Sequence, residues 1–339
     1  FTSPATTAFP YGAVQVIDIS NPLLMRQLSM TLIPSGHTTT CVDHCRYTWT
    51  AGPAASDLGP ADWEGRPVFA LDMRDPVHPV PCPHPIDEHR NDGVTDYTHD
   101  VQVDSQGIAW VSGSGGVRGY WVSGRHRNAA TGRVQTATGC DPVPYAGGGT
   151  DLGQLKTRDG VMHNSLRRGD ALVVTEEVTG AGSCAGFGKL VTYSLKGTYG
   201  GAGFRSSTAH PFRMQPLDTW TPEKQAGSSG CDSAHYFTDR GDGVLAMAFY
   251  AQGTRFLDVR NPRDIRQVGF YRPDDANTWA AYWRPGGYVF VADFTRGVDV
   301  LKVGGLKNQV AAPAVSRPTL NKPSPVWRWL CQVPVTRPS

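Results

Sequence analysis

No stretch of this chain approaches the roughly 20 consecutive apolar residues of a membrane-spanning helix, so no membrane span is expected. Charge of one sign is also lacking. The 32 Lys and Arg nearly balance the 30 Asp and Glu over 339 residues, leaving a net charge of +2. These charges are scattered, so no basic face for nucleic acid is expected. Long apolar runs with a 3.6-residue period are absent, which argues against a helical protein. The segment GSGGVRG (113–119) lacks the Lys-Ser/Thr of a phosphate loop and reads as a turn between strands. No G-x-S-x-G element supports a serine hydrolase. None of the seven cysteines forms a C-x-x-C pair.

The chain is rich in turn formers, with 39 Gly and 26 Pro. That composition suits many short strands joined by turns. Cys41 and Cys45 flank the turn V-D-H and are expected to pair across a hairpin, with His44 exposed between them. The remaining cysteines lie in Gly/Pro-rich loops, where disulfides staple secreted proteins. An extracytoplasmic location is therefore the expectation, with any export signal already removed from a chain that begins FTSPATTAFP.

Four histidines occupy one place in a repeated unit: His37 in GHTTTC, His99 in THDVQV, His163 in MHNSL and His235 in SAHYF. Each opens a short strand-like run. A turn and a more apolar run follow, as RYTWTAG, IAWVSG, ALVVTEE and VLAMAF. A third run ends in Asp and then Asn/Asp-Pro, as IDISNP (17–22), LDMRDP (71–76) and LDVRNP (257–262). Asp18, Asp72 and Asp258 are expected to bond backbone N–H groups in the following turn. GVRGYWV (116–122), KLVTYSL (189–195) and GVDVLKV (297–303) are degenerate copies of the same run. An outer strand completes the unit.

Four-stranded units repeating every few tens of residues predict an all-β fold, a single β-propeller over residues 1–339. The blade number lies between five and seven, and five or six fit best. The chain opens on a third-type strand, so the two termini are expected to complete one blade between them. Segments 124–160 and 196–232 read as long loops over one face, and 304–339 as a Pro-rich surface tail in which VWRWLCQV can pack or pair.

The strand–Asp–turn repeat resembles the LVIVD-repeat family of bacterial β-propellers. VQVIDISNP, TRFLDVRNPRDIRQVGFY and YVFVADFTRGVDVLKV carry the resemblance, which spans most of residues 11–303. It implies a propeller fold and a secreted or surface location. A looser analogy is to metal-dependent propeller oxygenases, which hold iron with four channel histidines backed by glutamates. Here only Glu176 and Glu177 sit near the right layer.

The His spacings of 62, 64 and 72 residues are far too long for a local metal motif. Arranged around an axis, however, His37, His99, His163 and His235 can converge on one ion. The bland alternative is that each ring bonds a neighbouring blade. An all-nitrogen set favours copper, with iron or zinc as alternatives. A zinc ion closed by four histidines would be structural. The fifth unit, TWAAYW, places Trp279 where the others have His; it reads as a core aromatic or as an aromatic wall beside the metal. Tyr282, Trp283 and Tyr236 can join that wall, and Tyr250 and Gln252 can face the channel mouth. One of Glu176 and Glu177 is expected to point inward, to orient a ligand or act as a base. Alternation turns Asp100 and Asn164 away from the channel.

These readings predict a secreted, monomeric metal-dependent oxidoreductase, an oxidase or oxygenase acting on a small aromatic molecule. The rival is a non-catalytic binding module whose histidines are structural or hold zinc.

Overall fold

The computed structural model describes residues 2–3, 12–33, 36–52, 68–86, 98–113, 116–128, 132–145, 160–178, 188–195, 215–222 and 233–305. Among them there is no helix, so no helix long and apolar enough to cross a membrane is present. The strands form six antiparallel sheets of three or four strands, plus one separate hairpin. The chain is thus an all-β propeller, and six blades are visible.

The first sheet holds β1 (Thr2–Ser3), β2 (Gly12–Asp18) and β3 (Arg26–Ile33). The second holds β4 (Thr38–Val42), β5 (Tyr47–Ala51), β6 (Phe69–Asp72) and β7 (Val80–Pro81). The third joins β8 (Thr98–Val103), β9 (Ile108–Gly113) and β10 (Gly116–Trp121) to β13 (Val143–Pro144). Inserted before β13 is the hairpin of β11 (Gly124–Arg127) and β12 (Val134–Ala137). The fourth sheet runs β14 (Gly160–Arg168), β15 (Ala171–Val178), β16 (Lys189–Ser194), β17 (Gln215–Trp220). The fifth runs β18 (Phe237–Asp239), β19 (Val244–Ala248), β20 (Thr254–Asp258), β21 (Arg266–Tyr271). The sixth holds β22 (Thr278–Arg284), β23 (Tyr288–Asp293) and β24 (Gly297–Lys302).

Both segments expected to be loops contain strands. Residues 124–144 carry the hairpin and β13, and 215–220 is the outer strand of its blade. The hairpin has no apolar alternation because nearly all of it faces solvent, so its sequence gave no period to read. The rest of 196–232 lies mostly outside the described residues, as does the tail from 306 onward.

Each blade is buried against the next. Val14, Val16 and Ile33 of the first pack on Leu71 and Met73 of the second. Trp49 of the second is wholly buried with Val101, Val111 and Tyr120 of the third. Similar clusters join the third to the fourth, the fourth to the fifth, and the fifth to the sixth. The strand-ending aspartates behave as the turn chemistry requires: the N–H groups of Ser20, Arg74 and Arg260 donate to Asp18, Asp72 and Asp258 at 2.9, 3.0 and 3.0 Å. Among the described residues there are two disulfides. Cys41–Cys45 closes the β4–β5 turn, and Cys82–Cys140 ties the end of the second blade to the loop before β13.

Candidate metal centre

At the repeated position three of the innermost strands, β8, β14 and β22, break their ladders. Pairing slips by one residue at His99, by one across His163 and Asn164, and by one at Trp279. A bulge leaves its extra residue out of the ladder and re-aims the side chain. His37 and His235 stand just ahead of β4 and β18, and their N–H groups donate to Ala51 O and Ala248 O, both at 3.0 Å. Five units therefore present one ring each at the same level.

The rings form a continuous arc. Centroid separations are 4.3 Å for His37–His99, 4.1 Å for His99–His163, 3.8 Å for His163–His235 and 3.9 Å for His235–Trp279. The middle three histidines are buried, whereas His37 and Trp279 at the two ends are exposed. Trp279 is not a core residue; it leans on His235 and meets Phe294 edge-on.

Most rings are fixed by the next blade. The Nδ1–H of His99 donates to His163 O at 3.2 Å, that of His235 donates to Trp279 O, and His37 is bonded to the His99 backbone. The bulged carbonyls, freed from the ladder, are the acceptors. A ring that donates through Nδ1 carries its lone pair on Nε2. His235 Nε2 has no hydrogen-bond partner, and His163 has none on either nitrogen, although both residues are buried. Burial, reinforced by the neighbouring rings, pulls His99 down to about 3 and holds His163 well below the usual imidazole range. Burial likewise lowers His235, to about 4. All three are neutral near pH 7.

Of the two glutamates, Glu177 faces this arc. Its Oε2 lies 3.9 Å from His163 Nε2 and its Oε1 lies 3.8 Å from His235 Nε2. Glu176 turns to the other side of β15, against Lys189 and Tyr193. Burial raises Glu177, and a hydrogen bond from Tyr250 OH opposes that rise. Among the described residues, His99, His163 and Glu177 each offer a ligand atom within 4.8 Å of the others. His37, exposed, and His235, buried, stand outside that set on either side of it. The group nearest to holding an ion is thus two imidazoles and a carboxylate. His235 is placed to join them from the Glu177 side.

Neutral imidazoles and a carboxylate meet here at 3.8–3.9 Å, with His235 Nε2 and both nitrogens of His163 making no hydrogen bond. A buried polar atom left so is costly. A cation bound among them removes that cost, so these residues fit a metal ion.

The other sequence candidates divide. Tyr250 meets His235 at 5.3 Å and Trp279 at 6.0 Å, both edge-on. Tyr236 and Tyr282 pair with each other at 5.4 Å. Trp283 packs on Phe256 in the blade interface instead, and Gln252 is buried within its own turn, accepting from Arg255. Asn164 is structural, accepting from Thr175 Oγ1 at 2.7 Å. Asp100 follows the bulge at His99. Its carboxyl is buried, bonded by Gln102 and pushed up to about 6 by desolvation.

The lowered imidazoles imply a pH dependence. A histidine whose pKa is lower folded than unfolded contributes stability above about 6.5 that is lost as pH falls below that value. Asp100, raised in the fold, works in the opposite direction below about 6. The metal-free protein should therefore lose stability from pH 7.5 to pH 5, and His163→Leu should lose less. Urea midpoints at three pH values check this; identical slopes in both proteins would contradict it.

No protein-family model and no curated protein matches the sequence. Solved structures do resemble the fold. The periplasmic gluconolactonase of Pseudomonas aeruginosa aligns over 89% of this chain and 82% of its own, with 14% identity and a TM-score of 0.57. Sqt1 of Chaetomium thermophilum, bound to the N-terminus of ribosomal protein L10, aligns over 87% and 70%, with 12% identity and a TM-score of 0.48. Regucalcin from Agrobacterium tumefaciens, a calcium-binding protein, aligns over 79% and 70%, with 10% identity and a TM-score of 0.42. At this identity the first of these speaks for the propeller architecture alone.

Proposed function

We propose that this chain is a metal-dependent propeller enzyme whose ion is held on the axis by His99, His163 and Glu177, with His235 beside them, and that its chemistry is redox. The observation that carries the reading is the buried meeting of Glu177 with the unpartnered nitrogens of His163 and His235. The all-nitrogen set favoured copper; Glu177 adds a hard oxygen. Two imidazoles and one carboxylate with open positions suit iron(II), so iron moves ahead of copper. When bound, such an ion supplies electron transfer and activation of a small oxidant. The residues of the chain do the rest. Bonds to the next blade orient His99 and His235, and burial keeps the imidazoles unprotonated. Trp279 and Phe294, both exposed, offer an aromatic flank for a planar substrate. The repeat is proposed to be of LVIVD type, on the strand–Asp–turn units of β2, β6 and β20. The two disulfides support an oxidising, extracytoplasmic setting.

The rival is a non-catalytic propeller. It is favoured by the inter-blade bonds of His37, His99 and His235, which give those rings a structural use. Azide added to the iron or copper form separates the two. A catalytic site with an open position should shift its optical or spin-resonance spectrum, and Trp279→Ala should alter azide affinity while metal content stays unchanged. A spectrum indifferent to azide would leave the structural reading.

A further inference from the structure

Tyr250 has a backbone conformation that bulky side chains avoid. Its φ is 42°, and among the described residues the other positive-φ positions outside glycine are Asp43, His44 and Cys45 of the disulfide turn. A closely built turn enforces it. Phe249 N–H donates to Gly253 O at 2.9 Å, Gln252 N–H to Phe249 O at 2.8 Å, and Gly253 N–H to Tyr250 O at 2.9 Å. Gly253, at φ +71°, admits no side chain, since an added Cβ would stand 2.3 Å from Tyr271 O. Tyr250 also exchanges both backbone bonds with Thr278, at 3.0 and 3.1 Å, beside the bulge that presents Trp279. Strain of this kind collects where a side chain must be aimed.

The aim is the Glu177 carboxylate. The Tyr250 hydroxyl donates to Oε1, the oxygen on the His235 side. Oε2, on the His163 side, receives no such bond from it. We propose that Tyr250 is the positioning residue of the metal centre: it ties up Glu177 Oε1, so the carboxylate binds the ion through Oε2 alone and a coordination position stays open. This rests on the metal reading above and adds how the carboxylate is held. Desolvation keeps the phenol protonated, as a donor must be.

The test uses cobalt(II) as the probe, since its visible bands report coordination number. The full chain and its Tyr250→Phe, Glu177→Gln and doubly substituted forms are titrated with cobalt(II). In Tyr250→Phe the freed carboxylate should turn bidentate, lowering band intensity and weakening cobalt affinity by about 10–100-fold. In the Glu177→Gln background the same change should do nothing further. Unchanged affinity and spectrum in Tyr250→Phe would overturn the proposal while leaving the metal site standing. So would an equal effect in the Glu177→Gln background, because that would mark general damage to the turn. A wild-type chain that takes up no cobalt would instead overturn the metal reading itself.

Discussion

His163→Leu should lower metal affinity by about 100-fold or more and leave the metal-free protein at least as stable as wild type near pH 7. Both ring nitrogens of His163 are buried and without partners, and Glu177 Oε2 faces one of them at 3.9 Å. In the absence of an ion those atoms have lost water and gained nothing. Leucine fills similar space between the His99 and His235 rings and removes the unsatisfied nitrogens. Replacing an unsatisfied buried polar group by an apolar one is close to neutral or stabilising. A purely structural histidine predicts the reverse, a clear loss of stability. Isothermal metal titration and denaturant unfolding of the same two proteins distinguish the cases. A variant that is less stable yet binds metal normally would contradict the assignment.

Trp49→Ala should destabilise the fold by about 3–5 kcal/mol, a large share of the roughly 5–15 kcal/mol that holds a typical domain. Trp49 is fully buried where the second blade meets the third, and its indole N–H donates to Gly139 O at 2.8 Å. The indole also meets Tyr120 edge-on at 6.0 Å. Gly139 is held so close to Tyr47 that an added Cβ would lie 2.2 Å from its ring, so the loop cannot slide inward to refill the space. The cavity would persist, and Gly139 O would lose its donor. Urea unfolding checks the size of the effect. A change below about 1 kcal/mol would mean the loop does collapse, against the packing described.

The architecture was legible because its signals are local. A strand that ends in Asp and enters an Asn/Asp-Pro turn recurs in β2, β6 and β20, and each copy stands where the repeat places it. The histidine position was legible for the same reason. What lay beyond the sequence depends on register. Period-2 alternation fails at a bulge, so the burial of the Asp100 carboxyl could not be read from its strand. Alternation also left Glu176 and Glu177 unresolved, since only the pairing of β15 with β14 and β16 decides which carboxylate meets His163. The strained turn at Tyr250 left no mark beyond a glycine three residues on. Cys82 and Cys140, 58 residues apart, become neighbours only once two blades pack.

The central claim is that one ion sits among His99, His163 and Glu177. Metal analysis of untagged protein, isolated without chelator, tests it most directly when set beside the His99→Ala, His163→Ala and Glu177→Ala variants. The account predicts about one transition-metal ion per wild-type chain, iron ahead of copper, and near-complete loss from each variant. Wild-type protein that stays metal-free after incubation with iron(II), copper(II) and zinc(II), or variants that keep a full complement of metal, would contradict it.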